Sequence, residues 1–288
     1  MYDLEIILAV CGKGKYATRL KEFKKNGFMC IENKKILLSL LVGTEDIKDV
    51  DHEWPEGIDV RIIKSSVNQC AAKMNYFYAN YDCNDSKWIM RVDDDSVTNV
   101  SPLLQELEKF DYKETFYFTT QLIEGDVGVE KGLLYAFDSK YKKEPLFHEV
   151  ECCILSNECY KEIKQNKFCS KLLKLRAEIE FGYTDICLAA CARECGIHLT
   201  KFQKITHETD VRRFLENNVF HVHYVAPDVN DQQLKIITNN REDFHLPNEK
   251  LFVYNDEQKQ IGYFILSKNG IINSNIPNFS FWTIEGSN

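Results

Sequence analysis

The chain has 288 residues, of which 44% are hydrophobic and 28% charged, and its formal net charge at pH 7 is -8. A chain of this length can fold as one large domain or two smaller ones, and its acidic balance argues against general nucleic-acid binding, which needs a basic surface. We find no apolar run long enough to cross a bilayer and no basic leader with a cleavage site, so we expect a cytoplasmic protein with reduced thiols.

The first half of the chain alternates predicted strands and helices. This alternation is typical of parallel strands joined by helical crossovers, and ligands of such sheets bind beyond the carboxyl ends of the strands. Ser101 would cap the last helix of this half, with Pro102 at its first position. The predicted strands are 4–10, 36–42, 60–63 and 88–92, and the predicted helices are 65–81 and 102–110, with a helix or lid at 13–25.

The second half is mixed and ends in a segment of different texture. After Pro227 the sequence is first polar and then alternating, and Asn269-Gly270 is a strong signal for a hairpin turn. We therefore predict a main α/β domain over 1–226 and a small β-rich extension over 227–288. The other predicted strands are 115–120, 133–137, 151–155 and 219–225, and the other predicted helices are 157–166 and 185–195.

Three consecutive carboxylates, Asp93, Asp94 and Asp95, follow the predicted strand 88–92. Adjacent carboxylates repel one another, so a fold that keeps them together usually supplies a cation. Mg²⁺ and Mn²⁺ take oxygen ligands and commonly join one or two carboxylates to a substrate phosphate. We predict a divalent metal held by Asp95 and a neighbour, with Asp93 also placed to contact a ribose or base; an acidic solvated turn is the alternative.

The end of the first predicted strand lies at the same edge of the sheet. Cys11 and Gly12 follow that strand, and Arg91 lies near the end of the strand that leads to the acids. We expect these residues, together with Asp93 and Asp94, to contact a bound nucleotide, with Arg91 or a basic residue of the segment 13–19 offsetting charge on its phosphates.

Two histidines, His221 and His223, occur in the late predicted strand F-H-V-H-Y-V. Residues at this spacing point to the same face of a strand. A neutral imidazole could complete the shell of a metal, and we prefer His223 for that role. A structural or surface pair is the alternative.

Asp185 follows a glycine-containing turn and stands at the start of a predicted helix. The helix dipole favours a carboxylate there, so simple capping is one interpretation. The other is a general base that removes a proton from an attacking hydroxyl, with Glu180 as the nearby alternative.

A ladder of basic residues occupies the segment before Asp185, at several spacings of three or four. A solvated helix face explains this pattern, and a surface that contacts anionic lipid or a lipid-diphosphate acceptor is the sharper hypothesis. The ladder consists of Lys161, Lys164, Lys167, Lys171, Lys174 and Arg176.

Three of the 11 cysteines recur every four residues. Cys187, Cys191 and Cys195 would share one helix face, where we expect them to pack as small apolar residues. No pair has C-x-x-C spacing, so zinc is poorly supported.

Four segments occur in an order that resembles GT-A-fold glycosyltransferases, and within them the fringe-like and core-1 β3-galactosyltransferase group. Residues 88–97 resemble that group's strand ending in D-D-D, and 152–160 resemble its G-A-G-x-x-L-S segment with the following helix. Residues 183–196 resemble its acidic motif and helix, and 220–225 resemble its terminal histidine motif. The similarity spans about 4–225.

The resemblance implies a Rossmann-like mixed sheet flanked by helices and a metal-dependent enzyme that inverts the anomeric carbon of a UDP-linked sugar. By position, Asp93 to Asp95 would bind Mn²⁺ or Mg²⁺ and the nucleotide, Asp185 would be the base and His223 the late metal ligand. The acceptor would be a glycan or a lipid-linked glycan. The family's membrane anchor and disulfide-rich luminal setting are not seen in this sequence, so we expect a cytoplasmic enzyme that could contact the inner face of the membrane. The sequence departs from the group where Glu151 to Cys153 replace the glycines of its G-A-G segment.

Two functions of other classes stay open. A nucleotidyltransferase of sugar-nucleotide metabolism also combines an α/β sheet with paired acids and a metal, although Gly12, Gly14 and Arg19 give only a faint version of its phosphate loop. A non-catalytic glycan-binding module would use the C-terminal β-rich segment. Release of UDP, of pyrophosphate or of neither would separate the three functions.

Overall fold

A mixed sheet lies at the centre of the computed structural model. Across the sheet the strands are β11 (Leu199–Lys201), β7 (Tyr117–Thr119), β10 (Cys153–Ser156), β5 (Ser86–Val92), β1 (Tyr2–Ala9), β3 (Ile36–Val42) and β4 (Ile58–Lys64). The structure describes residues 1–10, 20, 23–24, 27–29, 31, 34–43, 54–65, 67, 69–94, 96–119, 123–125, 146–148, 152–178, 184–206, 221–222, 249–254, 260–267 and 270–274.

The strands β5, β1, β3 and β4 run parallel, so their carboxyl ends meet at one edge of the sheet, which we call the carboxyl edge. Leu8 near the end of β1 lies opposite Val92 at the end of β5. β10 runs antiparallel to β5, and its first residue, Cys153, lies opposite Arg91. The start of β10 therefore joins the carboxyl edge beside the acidic residues.

Five helices among the described residues cover both faces of this sheet, because alternate side chains of each strand point to opposite faces. Ile7 and Ile89 pack on one face in a core with Phe77 and Leu188, and Leu8 packs on the other face in a core with the apolar stripe of the second helix. The helices are α1 (Cys70–Asn80), α2 (Val100–Leu107), α3 (Asn157–Gln165), α4 (Lys167–Glu178) and α5 (Thr184–Glu194). α2 covers one face, and the other four helices contribute to the core on the opposite face. The predicted α/β class is confirmed.

A second sheet begins directly after β5. Its strands, in spatial order, are β12 (Ile205–Thr206), β13 (His221–Val222), β6 (Val97–Asn99) and β2 (Phe28–Met29). β6 pairs antiparallel with β13 and parallel with β2. At the end of β5, this small sheet therefore joins segments that are far apart in the sequence.

The remaining strands form two separate antiparallel sheets. One contains β8 (Ile123–Gly125) and β9 (Leu146–His148), and the other contains β14 (Glu249–Tyr254), β15 (Gln260–Ser267) and β16 (Gly270–Ser274). The antiparallel pairing of Ser267 with Gly270 confirms a hairpin near the predicted turn. The domain boundary between 226 and 227 stays a prediction. The predicted strand 133–137 and most of the segment 13–25 lie outside the described residues.

Two helix predictions were wrong in detail. α2 begins at Val100 with Asn99 at its N-cap position, so Ser101 lies inside the helix rather than capping it. The basic ladder does not follow one continuous helix, because Asn166 separates α3 from α4. The Asn166 side-chain oxygen accepts hydrogen bonds from the backbone N–H groups of Phe168, at 2.8 Å, and Cys169, at 3.2 Å, and so starts a new helix. No described helix is long and apolar enough to span a membrane.

One cysteine differs from the expectation that all thiols are reduced. Cys70 is disulfide-bonded. The other cysteines that the structure describes carry thiols: Cys83, Cys152, Cys153, Cys159, Cys169, Cys187, Cys191 and Cys195.

A buried carboxylate ties the parallel strands together. Glu5 of β1 is 1% exposed, and its side chain accepts hydrogen bonds from Ser39 on β3 at 2.7 Å and from Ser86 on β5 at 3.0 Å. Arg61 of β4 also hydrogen-bonds this carboxylate and donates to Ser39 at 3.0 Å. One charged group thus links four neighbouring strands, and its hydrogen bonds and ion pair offset the cost of burying it.

We expect Glu5→Leu to lower the free energy of unfolding by about 2–4 kcal/mol, because it leaves buried hydroxyls without their acceptor and Arg61 without its counterion. Urea unfolding followed by circular dichroism measures this. Asp3→Ala is the matched control on the same strand. Asp3 accepts a bond of 2.7 Å from Lys87, but both side chains are partly exposed, so we expect a loss below about 1 kcal/mol. Equal losses in the two variants would contradict a special role for Glu5.

Candidate functional site

The acidic residues lie where the chain leaves the central sheet. Asp93 and Asp94 directly follow β5, and the chain turns immediately after them, because the hydroxyl and the amide of Ser96 donate to the Asp93 carbonyl at 2.6 and 3.2 Å. Asp and Ser are common in such turns because their side chains bond nearby backbone groups. The Asp93 side chain is 34% exposed and Asp94 is 8% exposed. Two carboxylates therefore stand at the carboxyl edge, one of them open to solvent.

Arg91 provides a positive charge beside these acids. Its guanidinium Nη2 lies 3.8 Å from Oδ1 of Asp93, and its side chain is 11% exposed. Arg91 is the β5 residue opposite Cys153, which replaces a glycine of the resembled family's segment. The predicted site residues Arg91, Asp93 and Asp94 are thus brought together at one strand end.

The end of β1 carries a second buried cation. Lys73 of α1 is completely buried, and its ammonium donates to the carbonyl oxygen of Val10 at 2.6 Å. The sulfur of Cys70, in the first turn of the same helix, lies 3.9 Å from the Ala9 carbonyl oxygen. The first turn of α1 therefore lies against the carboxyl edge, next to the point where the chain enters the predicted nucleotide-binding residues Cys11 and Gly12.

A buried hydrogen bond places the late histidine segment beside the acids. His221 Nδ1 and Thr98 Oγ1 are 2.8 Å apart, and both residues are completely buried. In the β13–β6 pairing, His221 lies opposite Thr98 and Val222 lies opposite Val97. The strand that leads into His223 is therefore paired with the strand that directly follows the acid triplet. His221 has a structural role, which the sequence had left open as an alternative.

Asp185 is the second residue of α5. This places it in the first helical turn, where the helix dipole stabilises a carboxylate. α5 packs with α4 and α1. The side chain of Asp185 lies outside what the structure describes, as do Cys11, Gly12, Asp95 and His223, so these predicted roles stay predictions.

The chemistry of the described donors suits a hard divalent cation. Asp93 and Asp94 offer carboxylate oxygens at a strand end, and Mg²⁺ and Mn²⁺ sites use one or two such groups with substrate phosphates. Within the part of the chain that the structure describes, no three or more His, Cys, Asp or Glu side chains converge as a metal site. Any complete protein shell would therefore need ligands beyond the described residues, as the predicted set of Asp93, Asp95 and His223 does.

Sequence reasoning missed Lys73 and Thr98. Lys73 lies between alanine and methionine in the segment A-A-K-M-N-Y-F-Y, which forms a helix with an apolar core-facing side. A charged residue in this apolar pattern was the available signal. Thr98 carried no local signal, because its role depends on a partner that lies 123 residues away in the sequence.

We expect Thr98→Val to lower the free energy of unfolding by about 1–3 kcal/mol, because it leaves a buried ring nitrogen of His221 without its hydrogen-bond partner. Thermal and urea unfolding measure this loss. Thr200→Val, at an exposed position on β11, is the matched control and should change stability by less than about 0.5 kcal/mol. A neutral Thr98→Val variant would show that the bond does not hold the two strands together.

One comparison with known proteins, the match to a family model, agrees with the resemblance in the sequence. A model of the Fringe-like family matches residues 62–224, a range that includes the acid triplet, Asp185 and His223. A search of curated proteins finds no match. Among solved structures, galactosyltransferase LgtC in complex with donor and acceptor sugar analogs is similar over 77% of this chain and 87% of that chain, with 14% sequence identity and a TM-score of 0.44.

The family match spans more than half of the chain and contains Arg91, Asp93, Asp94 and His221 of the candidate site. The observed mixed sheet flanked by helices is the architecture that the resemblance implied. The chain belongs to the Fringe-like family and is a glycosyltransferase.

Proposed function

We propose that this glycosyltransferase is metal-dependent and inverting, and that it moves a hexose-type sugar from a UDP-sugar to a hydroxyl group of a glycan or lipid-linked glycan. The observation that carries the proposal is the pairing of β13 with β6 directly after the acids. It brings the segment that enters His223 to the end of β5, where Asp93 and Asp94 stand. Separate segments that the family resemblance assigns to donor binding thus converge at one edge of the sheet.

The donor would lie at the carboxyl edge. Asp93, Asp95 and His223 would hold Mn²⁺ or Mg²⁺, which when bound supplies Lewis-acid stabilisation of the charge on the diphosphate. Asp93 and Asp94 would also contact the nucleotide, together with Cys11 and Gly12 after β1. These roles of Asp93 and Asp94 are consistent with their positions at the end of β5, where Asp93 is partly exposed and Asp94 is buried.

Two cations of the chain support binding of a diphosphate there. Arg91 is close to Asp93, and the ammonium of Lys73 is buried at the Val10 carbonyl, where the chain leaves β1. Positive charge in a poorly solvated site stabilises anionic groups more strongly than the same charge in water. We propose that Arg91 offsets charge on the departing UDP, and that Lys73 holds the Val10 carbonyl, directly before the residues that contact the UDP.

The acceptor would enter near the start of α5. Asp185 in the first turn of this helix would accept the proton of the acceptor hydroxyl as its oxygen attacks the anomeric carbon. A general base must lie within hydrogen-bond reach of that proton. Attack from the side opposite to UDP inverts the configuration of the anomeric carbon.

An exposed basic stripe supports a lipid-linked acceptor. Lys167, Lys171 and Lys174 lie exposed on α4 at spacings of four and three, whereas the ammonium groups of Lys161 and Lys164 lie 3.8 Å from Glu158 and 3.6 Å from Asp82. Lysines near an anionic bilayer surface attract it by about 1 kcal/mol each. We propose that the enzyme works in the cytoplasm, in peripheral contact with the inner face of the membrane.

We expect UDP to raise the Tm of the protein only when Mn²⁺ or Mg²⁺ is present, because a ligand that binds the folded state stabilises it by mass action. A thermal-shift screen of nucleotides and nucleotide sugars, with and without metal, measures this. Asp93→Asn and Asp95→Asn should abolish the shift. Asp85→Asn is the matched control, because Asp85 is exposed just before the amino end of the same strand.

A response to nucleoside triphosphates with release of pyrophosphate would instead favour a nucleotidyltransferase. No response to any nucleotide, with the protein folded, would count against the proposal as a whole.

We expect Asp185→Asn to lower kcat by about 10²–10⁴-fold while leaving the metal-dependent UDP shift intact, because only the proton acceptor is lost. UDP release from UDP-hexoses in the presence of an acceptor panel measures the rate. Glu180→Gln is the comparison variant. If Glu180→Gln lost activity and Asp185→Asn kept it, the base would be Glu180.

A further inference from the structure

Three cysteines meet at the contact between α4 and the end of α5. The sulfur atoms of Cys169, in the first turn of α4, and Cys195, the residue directly after α5, are 3.8 Å apart. The Cys169 thiol also lies 3.5 Å from the carbonyl oxygen of Cys191. The predicted cysteine stripe therefore does more than fill the core. Its last member, Cys195, places a thiol beside α4.

The two sulfurs differ in their access to solvent. Cys169 and Cys191 are completely buried, whereas Cys195 is partly exposed. The Cys195 thiol lies 3.7 Å from the carbonyl oxygen of Glu162 on α3, and Gly196 follows with φ of +73°, so the chain turns away at this point. Cys195 is thus the sulfur that a small reagent reaches first.

The different pKa values of the Cys169 and Cys195 thiols favour a reaction between their sulfur atoms. Hydrogen bonds from the thiols of Cys191 and Cys195 lower the pKa of Cys169, whereas burial raises the pKa of Cys195 to about 12. The thiolate is the reactive form of cysteine, so Cys169 can take a proton from Cys195 and can later attack the Cys195 sulfur once that sulfur is oxidised.

We infer that Cys169 and Cys195 are an oxidisable pair that closes to a disulfide and ties the start of α4 to the end of α5. The oxidant is a small peroxide. The Cys169 thiolate takes the Cys195 proton as the Cys195 sulfur attacks hydrogen peroxide; the O–O bond breaks, and Cys195 becomes a sulfenic acid. The released hydroxide takes the proton back from Cys169.

The second step forms the bond between the two helices. The Cys169 thiolate attacks the Cys195 sulfur, the S–S bond forms, the S–O bond breaks and hydroxide leaves to become water. The net reaction converts two thiols and one peroxide into one disulfide and two water molecules. A thiol with so high a pKa reacts slowly, so we expect formation over minutes to hours rather than a fast sensing response.

The cross-link lies far from the candidate active site. Asp185 is at the opposite end of α5, about 15 Å away along the helix axis. We therefore expect the disulfide to stabilise the packing of α4 against α5, with an upward shift of roughly 5 °C in Tm, and to leave the donor site unchanged. The inference does not depend on the proposed donor, metal or acceptor.

The test uses the full-length wild-type protein, incubated with hydrogen peroxide under native conditions and then alkylated at its remaining thiols. Non-reducing peptide mapping by mass spectrometry should show a peptide pair joined through Cys169 and Cys195, which dithiothreitol separates. The Tm should rise on oxidation and fall back on reduction. Phenylarsine oxide, which bridges neighbouring thiols, should protect both cysteines from alkylation at one equivalent.

Matched variants show which sulfurs react. Cys169→Ala and Cys195→Ala should each lose the joined peptides and the Tm shift, whereas Cys187→Ala, on the same face of α5, should keep both. Because the decisive result is read on the wild-type protein, an unstable variant leaves the inference testable. A disulfide that joined Cys191 instead, or independent oxidation of Cys195 with no cross-link, would overturn it.

Discussion

A buried hydrogen bond between Thr98 and His221 joins segments that lie 123 residues apart in the chain. The two residues face each other in the pairing of β6 with β13, and β6 begins two residues after Asp95. Because both side chains are buried, each polar atom needs the other, and a slip of the strands would leave both without that bond. This constraint holds the late histidine segment at the end of β5, and the proposed donor site rests on it.

Charge is distributed along the central sheet in two different ways. In its interior, the single carboxylate of Glu5 is satisfied by Ser39, Ser86 and Arg61, so the parallel strands share one polar link. At the carboxyl edge Asp93, which directly follows β5, lies close to Arg91, and buried Lys73 reaches the end of β1. The first arrangement supports the fold. The second concentrates charged groups of both signs at the carboxyl edge, where we propose that the anionic donor binds.

The packed helices α4 and α5 carry both the proposed base, Asp185, and the oxidisable thiol pair. The first turn of α5 contains Asp185, which we propose as the base, and the residue after its last turn is the partly exposed Cys195. The exposed lysines of α4 belong to the same pair. This helix pair would thus combine membrane contact, proton transfer and an oxidisable thiol pair, with about 15 Å of helix between the last two.

Local patterns determined most of the elements. The apolar run 36–42 became β3 with the predicted bounds, the strand before the acids was placed within two residues, and the cysteine stripe on α5 was identified from spacing alone. These succeed because period and burial are properties of neighbouring residues. The acids at a strand end were also visible, and the ordered motifs identified the family.

Only the tertiary structure decided which distant groups meet. Thr98 could not be distinguished from any other strand threonine until its partner was known, and the contact between Cys169 and Cys195 required the break at Asn166 and the packing of α4 on α5. Lys73 stood out as a cation in an apolar helix, but its target, the Val10 carbonyl, depended on where that helix docks. Sequence patterns determine which residues are apolar, charged or able to turn the chain, whereas contacts between distant residues depend on how the whole chain packs.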